Sequence, residues 1–359
     1  MSREHLDELL GQASAMDRAP AKVALLEEAV RECDTLGDAE LAFDVRQELI
    51  SEATHCGYYE KALVAFTWCL AEYDRNPTVC HPYRLLWQYK WIAGHLPRFV
   101  EVSREQITSM QDDMERRYQQ MGFSLRPVEM QRSENAIIMG DLAAAEQSHS
   151  AWQSLPRDGL ADCPACEEDL HIEFLIFADR DAKATKAFGK LLKKNLTCSD
   201  VPQRTYGKVI RSQMRLNRSD DARQTCQTGY PLARNNAMFL SQVSEYLLYH
   251  VRERDASAGS RMLERHLAWA LTTTDASAKL RFCVAVGLLC ELLTKQDATC
   301  KLRLPREFPL FSDDGVYETA KLHDWFAQQA DNLTARFNER NGNDYYTKLM
   351  RESQELAKV

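Results

Sequence analysis

The sequence predicts an all-α fold, a solenoid of antiparallel helix pairs with a C-terminal capping helix. Glycine and proline are scarce, at 14 and 11 of 359 residues, so turns are few and regular elements long. A small or apolar anchor also recurs along the chain, once in the second helix of each predicted pair. These anchors are Ala62, Phe99, Ala145, Ala184, Ala222 and Ala258. The last four lie 36 to 39 residues apart, which indicates a repeat array.

The segment from Gly57 to Pro77 shows the repeat most clearly. Ala62 lets two helices approach closely, and Phe66 and Cys69 follow on the same helix face. Pro77 then ends the helix. This segment resembles the second half of a tetratricopeptide (TPR) repeat. The resemblance implies a helical solenoid with a long curved binding surface, a fold that seldom carries an active site.

Helical periodicity and cap residues predict fifteen helices in order along the chain. Their approximate bounds are 20–35, 38–55, 58–74, 82–93, 97–120, 126–139, 141–155, 166–178, 181–195, 201–216, 219–234, 236–253, 257–272, 276–295 and 315–340. Turn residues before the second helices are Gly57, Gly94, Gly140, Asp179 and Asn217. Glycine, Asp and Asn suit such turns because they accept the left-handed conformation or cap the next helix.

Three domains follow from this reading. Residues 1–295 form the TPR-like array, and residues 296–316 form a proline-containing loop or tether. Residues 317–359 form a capping helix and a tail. The capping helix carries apolar side chains such as Leu322 and Phe326, which we expect to dock on the final repeat.

Composition argues against several partners. The chain has 45 basic and 53 acidic side chains, a net charge of −8, so it lacks the field that attracts nucleic acid or anionic membranes. No apolar signal core follows Met1, and the longest apolar run, 282–290, is too short to span a bilayer. We therefore expect a cytoplasmic protein whose 11 cysteines are mostly reduced. The oligomeric state stays open.

Three short motifs carry a second resemblance. They are Asp162-Cys163-Pro164-Ala165-Cys166, Leu196-Thr197-Cys198 and Arg340-Asn341-Gly342-Asn343. The chain is similar in these motifs to bacterial TPR-type proteins without an assigned activity. The likeness implies the solenoid fold and no particular chemistry.

The first helix of each pair should line the groove of such an array. Alignment on the anchors places six candidate partner-binding residues there, expected to face an open groove: Arg84, Gln88, Trp91, Arg204, Arg211 and Arg215. Arginines could hold the carboxylates of an acidic peptide in bidentate fashion, and Trp91 could add an aromatic contact. Alternatively, the arginines pair with nearby acidic residues on a solvated surface.

The cysteines of two motifs form a candidate metal site. Cys163 and Cys166 precede or begin one helix, and Cys198 follows the next, so all three should meet at one end of a helical hairpin. His171 is a candidate fourth ligand. A structural zinc is the predicted occupant, and ordinary reduced thiols are the alternative.

On these grounds the sequence predicts a scaffold that binds a protein or peptide. One alternative is a peptide-sensing regulator, with 304–311 as a movable tether. The other is a zinc- or thiol-dependent enzyme centred on Cys163 and Cys166. Because the chain contains no phosphate-binding, nucleophile-elbow or zinc-protease motif, we expect no catalysis and no cofactor besides that zinc.

Overall fold

The computed structural model describes residues 3–358, which contain seventeen α-helices and one β-hairpin. The predicted all-α class is confirmed. The α-helices are α1 (Arg3–Ser14), α2 (Pro20–Leu36), α3 (Ala39–Cys56), α4 (Tyr59–Arg75), α5 (Pro82–His95), α6 (Arg104–Gln120), α7 (Arg126–Met139), α8 (Leu142–Ser154), α9 (Pro164–Phe177), α10 (Asp181–Lys193), α11 (Gln203–Arg215), α12 (Ser219–Ala233), α13 (Leu240–Arg252), α14 (Ala256–Thr272), α15 (Ala276–Thr294), α16 (Thr319–Asn341) and α17 (Tyr345–Lys358). The outermost residues of the predicted domains, Met1, Ser2 and Val359, lie outside the described range.

The anchor residues have the environment that the repeat requires. Ala62, Ala145, Ala184 and Ala222 are almost completely buried in α4, α8, α10 and α12. Each is preceded by a turn residue with a left-handed backbone: Gly57, Gly140, Asp179 and Asn217. Asp and Asn tolerate this conformation better than most side chains do. The turns between the two helices of these pairs therefore share a residue with left-handed backbone.

One predicted pair differs from the others. Gly94 is not a turn residue, because α5 continues through it to His95. The helix predicted over 97–120 begins only at Arg104, after a 3-10 turn and an irregular segment. Phe99 is buried in that segment and is not a helical anchor. Leu96, the residue before Pro97, keeps a helical backbone, but Pro97 has no amide N–H to donate to the last turn of α5, which favours an interruption here.

The sequence reading also missed two helices, α1 and α17. In α17 the buried residues Tyr346, Leu349, Leu356 and Ala357 recur at helical spacing, so the signal was present in the segment predicted as a tail. Asn343 accepts a hydrogen bond from the Tyr345 amide and caps this helix.

The chain divides into two compact units. Unit 1 comprises residues 1–96, 105–131 and 151–161, and unit 2 comprises 97–104, 132–150 and 162–359. In unit 1, helices α1 to α5 pack in sequence, and α3 also contacts α5. The α6 residue Arg117 forms two 2.7 Å hydrogen bonds with Asp74 of α4, and Tyr118 donates to the Leu86 carbonyl of α5.

In unit 2 the helices alternate between two layers. We name α9, α11, α13 and α15 the first helices and α10, α12 and α14 the second helices. Of the first helices, α9, α11 and α13 each pack on the next first helix and on their own second helix. This neighbour-on-neighbour packing is compatible with a helical repeat fold. Helix α16 packs on α15, and α17 packs on α13, α15 and α16.

Contacts between successive pairs recur at a nearly constant sequence separation. Asp169 and Arg204 are 35 residues apart, Arg211 and Glu245 are 34 apart, and Tyr230 and His266 are 36 apart. A similar hydrogen bond in unit 1 joins Lys61 to Glu27, 34 residues apart. These contacts join adjacent helix pairs at about the spacing that the sequence predicts for one repeat, which is compatible with a helical repeat fold.

Hydrogen bonds join two segments of unit 2 that are far apart in the sequence, residues 97–104 and the end of α16. The Arg340 guanidinium donates to the carbonyls of Pro97 at 2.9 Å, Phe99 at 2.9 Å and Val102 at 3.3 Å. Arg104 in turn donates to the Asn341 carbonyl at 2.7 Å. The segment Arg340-Asn341-Gly342-Asn343, noted above as a motif, therefore fixes the irregular segment 97–104 against the end of α16.

The predicted loop 296–316 contains most of a small β-hairpin. Strands β1 (Thr299–Lys301) and β2 (Val316–Glu318) are antiparallel, with Cys300 opposite Tyr317. Phe308 of the connecting loop is buried against the Trp325 and Phe326 rings of α16. None of the helices within residues 3–358 combines the length and the apolar character that crossing a membrane requires.

Candidate functional site

Three of the six predicted groove residues lie in unit 1. Arg84 is exposed and forms a 2.8 Å ion pair with Asp44. Gln88 is buried and donates at 2.7 Å to the Gln47 backbone carbonyl. Trp91 is half-buried, edge-on to the ring of His55. Arg84 is thus the accessible member, while Gln88 joins α5 to α3.

The other three predicted residues lie on α11 in unit 2, and all contact the protein itself. Arg204 is held at 2.7 Å by Asp169, which is completely buried and also accepts hydrogen bonds from Thr205 and Lys208. Burial alone would raise the pKa of Asp169, but the charges of Arg204 and Lys208 outweigh it and lower the pKa to about 2. Asp169 is therefore a permanent anion between α9 and α11.

Arg211 and Arg215 contact the C-terminal helix. Arg211 binds Glu245 of α13 through two hydrogen bonds of 3.0 and 3.1 Å and donates to the Ser353 hydroxyl at 3.1 Å. Arg215 donates to Glu352 at 2.6 Å, and Arg211 lies 3.3 Å from the same carboxylate oxygen. Despite its burial, Glu352 has a lowered pKa because both guanidinium charges favour its ionised form.

The ends of α17 are held by other elements of unit 2. At its start, the Tyr346 hydroxyl donates to the Ile138 carbonyl at 3.0 Å. The side-chain amide of Asn343 donates to the Met139 carbonyl at 2.8 Å. At its end, Arg252 of α13 donates to the Leu356 carbonyl at 3.2 Å. Its apolar side chains enter the core of α13, α15 and α16.

The expectation of an open groove is therefore wrong for unit 2. We name the surface of α11, α13 and α15 that α17 covers the first-helix face. Its cations are Arg211, Arg215 and Arg281, and Glu245 is the anion that bridges Arg211 and Arg281. Glu352 of α17 supplies the missing negative charge. The physical reason for the difference is that α17 has the apolar stripe and the carboxylate that this face requires.

A second cluster consists of the three cysteines predicted to meet. Cys163 caps the N-terminus of α9, Cys166 lies in its first turn, and Cys198 lies in the loop after α10. One ligand atom from each lies within 4.8 Å of the others. The Sγ atoms of Cys166 and Cys198 are 3.4 Å apart. The contact with Cys166 lowers the pKa of Cys198 to about 6, while the same contact raises the pKa of Cys166, so the pair shares one proton.

His171 does not join this cluster. It lies five residues beyond Cys166 on α9, where the helix has turned its side chain to another face. Its Nδ1 atom is 2.9 Å from Nε2 of His149, and the two rings stack. Burial, followed by the neighbouring charge of His171, lowers the pKa of His149 to about 4. The predicted role of His171 as a fourth ligand has no support in this geometry.

Chemically, the first-helix face can hold a carboxylate-bearing helix, and the three thiols can hold a thiophilic cation. The sequence reading identified both sets of residues but missed the segment that occupies the first. No protein-family model matches the chain, and no curated protein is significantly similar to it.

Proposed function

We propose that this chain is a partner-binding protein whose first-helix face binds a helical peptide segment, in the manner of a tetratricopeptide-like groove. In the free protein α17 occupies that face. The proposal rests on one observation: two arginines of α11, Arg211 and Arg215, both contact Glu352, a carboxylate 137 residues or more away along the chain.

The chemistry of α17 defines the partner. Its Glu352 lies between two buried apolar residues, Leu349 and Leu356, on the side of the helix that faces the core. A competing segment should therefore be an amphipathic helix with the pattern Leu-x-x-Glu-x-x-x-Leu. Helix-in-groove recognition works through such anchors at helical spacing. A partner of this kind would replace α17, which makes the protein a sensor as well as a scaffold.

The carboxylate of Glu352 balances positive charge on the first-helix face. Glu245 is the anion shared by Arg211 and Arg281, and Arg215 lies 3.2 Å from Asp181 of α10. Without Glu352, Arg211 and Arg281 are left to share the single carboxylate of Glu245, next to apolar residues such as Leu280 and Leu248. Such a surface favours a helix that brings a carboxylate to the position of Glu352 over one that brings a neutral or basic side chain there.

The test uses the full chain with the substitution Glu352→Arg, which places a third cation against Arg211 and Arg215. We expect faster hydrogen exchange over 345–358, with the first and second helices still protected. A fluorescent peptide of sequence 343–358 should then bind in trans at least about tenfold more tightly than to the unmodified chain, where the tethered helix competes at high effective concentration.

Glu355→Arg is the matched control, because Glu355 is exposed to solvent and lies about 60° around α17 from Glu352. It should change neither exchange nor peptide binding. A second peptide with arginine in place of the glutamate should bind poorly to both chains. If α17 is released but the first peptide does not bind, or both peptides bind equally, the proposal is wrong.

A further inference from the structure

The cluster of Cys163, Cys166 and Cys198 has the dimensions of a metal site. In a tetrahedral zinc site with Zn–S bonds of about 2.3 Å, neighbouring sulfurs are roughly 3.8 Å apart. Here the Sγ atoms of Cys166 and Cys198 are 3.4 Å apart, and all three ligand atoms lie within 4.8 Å of one another. Shifts of about 1 Å, within reach of side-chain rotation, would bring all three sulfurs to bonding distance of one ion.

The backbone around the three sulfurs favours thiolates. The Cys166 amide donates to Cys163 Sγ at 3.4 Å, and the Asp200 amide donates to Cys198 Sγ at 3.5 Å. Cys163 also lies at the N-terminus of α9, where the helix dipole stabilises negative charge. Amide donors on ligating sulfurs orient them and stabilise the anionic form.

The number of thiols argues for a metal over a disulfide. All three cysteines are unbonded and only partly buried. Any disulfide within the cluster uses two of them and leaves the third beside it, whereas one cation uses all three. Zn²⁺ is the borderline-soft ion that thiolates of this spacing bind best among common cellular divalent cations.

We propose that Cys163, Cys166 and Cys198 bind one Zn²⁺ ion through three thiolates, with an exogenous ligand such as water at the fourth position. Within residues 3–358, no His, Cys, Asp or Glu ligand atom joins these three sulfurs as a fourth member of the cluster. The ion joins the start of α9 to the loop that follows α10. This site is independent of the first-helix face.

The experiment measures zinc in the full chain, purified without chelator and then loaded with one equivalent of Zn²⁺. We expect one zinc per chain after removal of free ion. Cys163→Ser, Cys166→Ser and Cys198→Ser should each weaken zinc binding by at least about 100-fold, beyond the effect typical of an outer-shell change. Cys300→Ser, at a partly buried cysteine outside the cluster, is the control and should bind zinc normally.

Cobalt substitution provides a second readout. Co²⁺ at the site should give thiolate-to-cobalt charge-transfer absorption and tetrahedral d–d bands, and an added small thiol should shift both by replacing water. Zinc well below one per chain after loading would overturn the proposal. So would a Cys166–Cys198 disulfide in protein that was isolated under reducing conditions, or cobalt bands that survive all three serine substitutions.

Discussion

Glu352 Oε1 lies 2.6 Å from Nε of Arg215, although 137 residues separate the two in the chain. This contact joins α17, which lies in the segment predicted as a tail, to the first-helix face. The sequence predicts that face as part of a partner-binding groove. Both side chains are partly shielded from solvent, with exposed fractions of 29% and 20%. An ion pair in this position should therefore contribute more to the free energy of unfolding than a fully exposed ion pair does.

A double-mutant cycle tests that difference. We expect Arg215→Ala and Glu352→Ala to show a coupling energy of about 1–2 kcal/mol in urea unfolding, because the pair is half-buried and short. The control cycle uses Arg84 and Asp44, whose exposed pair is also short, at 2.8 Å. Its coupling should stay below about 0.5 kcal/mol. Equal couplings in the two cycles would mean that the α17 contact has no special strength.

Asp169→Asn should strongly destabilise the protein. The substitution keeps the shape of a side chain that is completely buried but leaves Arg204 and Lys208 without their shared anion. Removal of one member of a buried charge cluster costs about 3–5 kcal/mol. Asp44→Asn, at an exposed position, should cost less than about 0.5 kcal/mol. The free energy of unfolding in urea at pH 7 measures both.

The same residue predicts an acid transition. The folded pKa of Asp169 is about 2, below its usual value near 3.8, so its ionised form stabilises the folded state. That contribution, about 2 kcal/mol, is present above pH 4 and is lost as the pH falls from about 4 to 2. Asp169→Asn should flatten the pH dependence of stability in this window. An unchanged slope in the variant would contradict the assignment.

His266 should make the protein less stable at mildly acidic pH. It is completely buried, and burial, with a smaller effect of Arg265, lowers its pKa to about 3. Because only the unfolded chain binds the proton between about pH 6.5 and 3, stability falls as the pH drops through this range. The expected loss between pH 7 and pH 5 is about 2 kcal/mol.

His266→Gln should reduce the loss between pH 7 and pH 5 by about 2 kcal/mol and leave the share of His149, whose pKa is also lowered, as measured by urea unfolding at both pH values. The control is Tyr230→Phe, which deletes the hydroxyl 3.1 Å from Nε2 of His266 but keeps the ring that shields it. The pH dependence should persist in this variant because burial is the main cause of the lowered pKa. If Tyr230→Phe removes it as fully as His266→Gln does, the hydrogen bond and not burial sets the pKa.

Two glycine substitutions should have opposite effects. A Cβ atom at Gly207 of α11 would lie 2.3 Å from Cβ and 2.9 Å from Cα of Gln242 in α13, so Gly207→Ala must separate two first helices. We expect a destabilisation of about 1–3 kcal/mol. Gly189 of α10 is exposed, with no atom within 4 Å of the added Cβ. Gly189→Ala should stabilise by about 0.5–1 kcal/mol, and thermal unfolding of both variants checks the contrast.

The sequence was sufficient for most of the helices, though not for α1 and α17, because local rules decide them. Ala62 and Ala184 mark close helix contacts, and Asp179 and Asn217 mark left-handed turns, all readable from spacing. The convergence of Cys198 with Cys163 and Cys166 follows from the antiparallel course of one hairpin. Each of these features depends on residues within about one repeat of each other.

Local spacing in the sequence does not identify the segment that occupies the first-helix face. The arginines of α11 are evident as cations in the sequence. Periodicity does not say whether a partner or a carboxylate 137 residues beyond Arg215 neutralises them, as Glu352 does. The prediction of His171 as a fourth metal ligand lacks support for a related reason. Its proximity in sequence to Cys166 gave no information about His149, whose ring fixes its orientation.

The contact of Arg340 with the carbonyls of Pro97, Phe99 and Val102 limits how the protein can be divided. A recombinant fragment that starts at Asp162 would retain every first helix of unit 2 yet leave this half-buried guanidinium without three acceptors. Limited proteolysis between residues 104 and 132 should consequently leave two pieces that stay associated. To produce unit 2 alone, residues 97–104 and 132–150 must be supplied together with the fragment from Asp162, as separate peptides or by rejoining the chain in a new order.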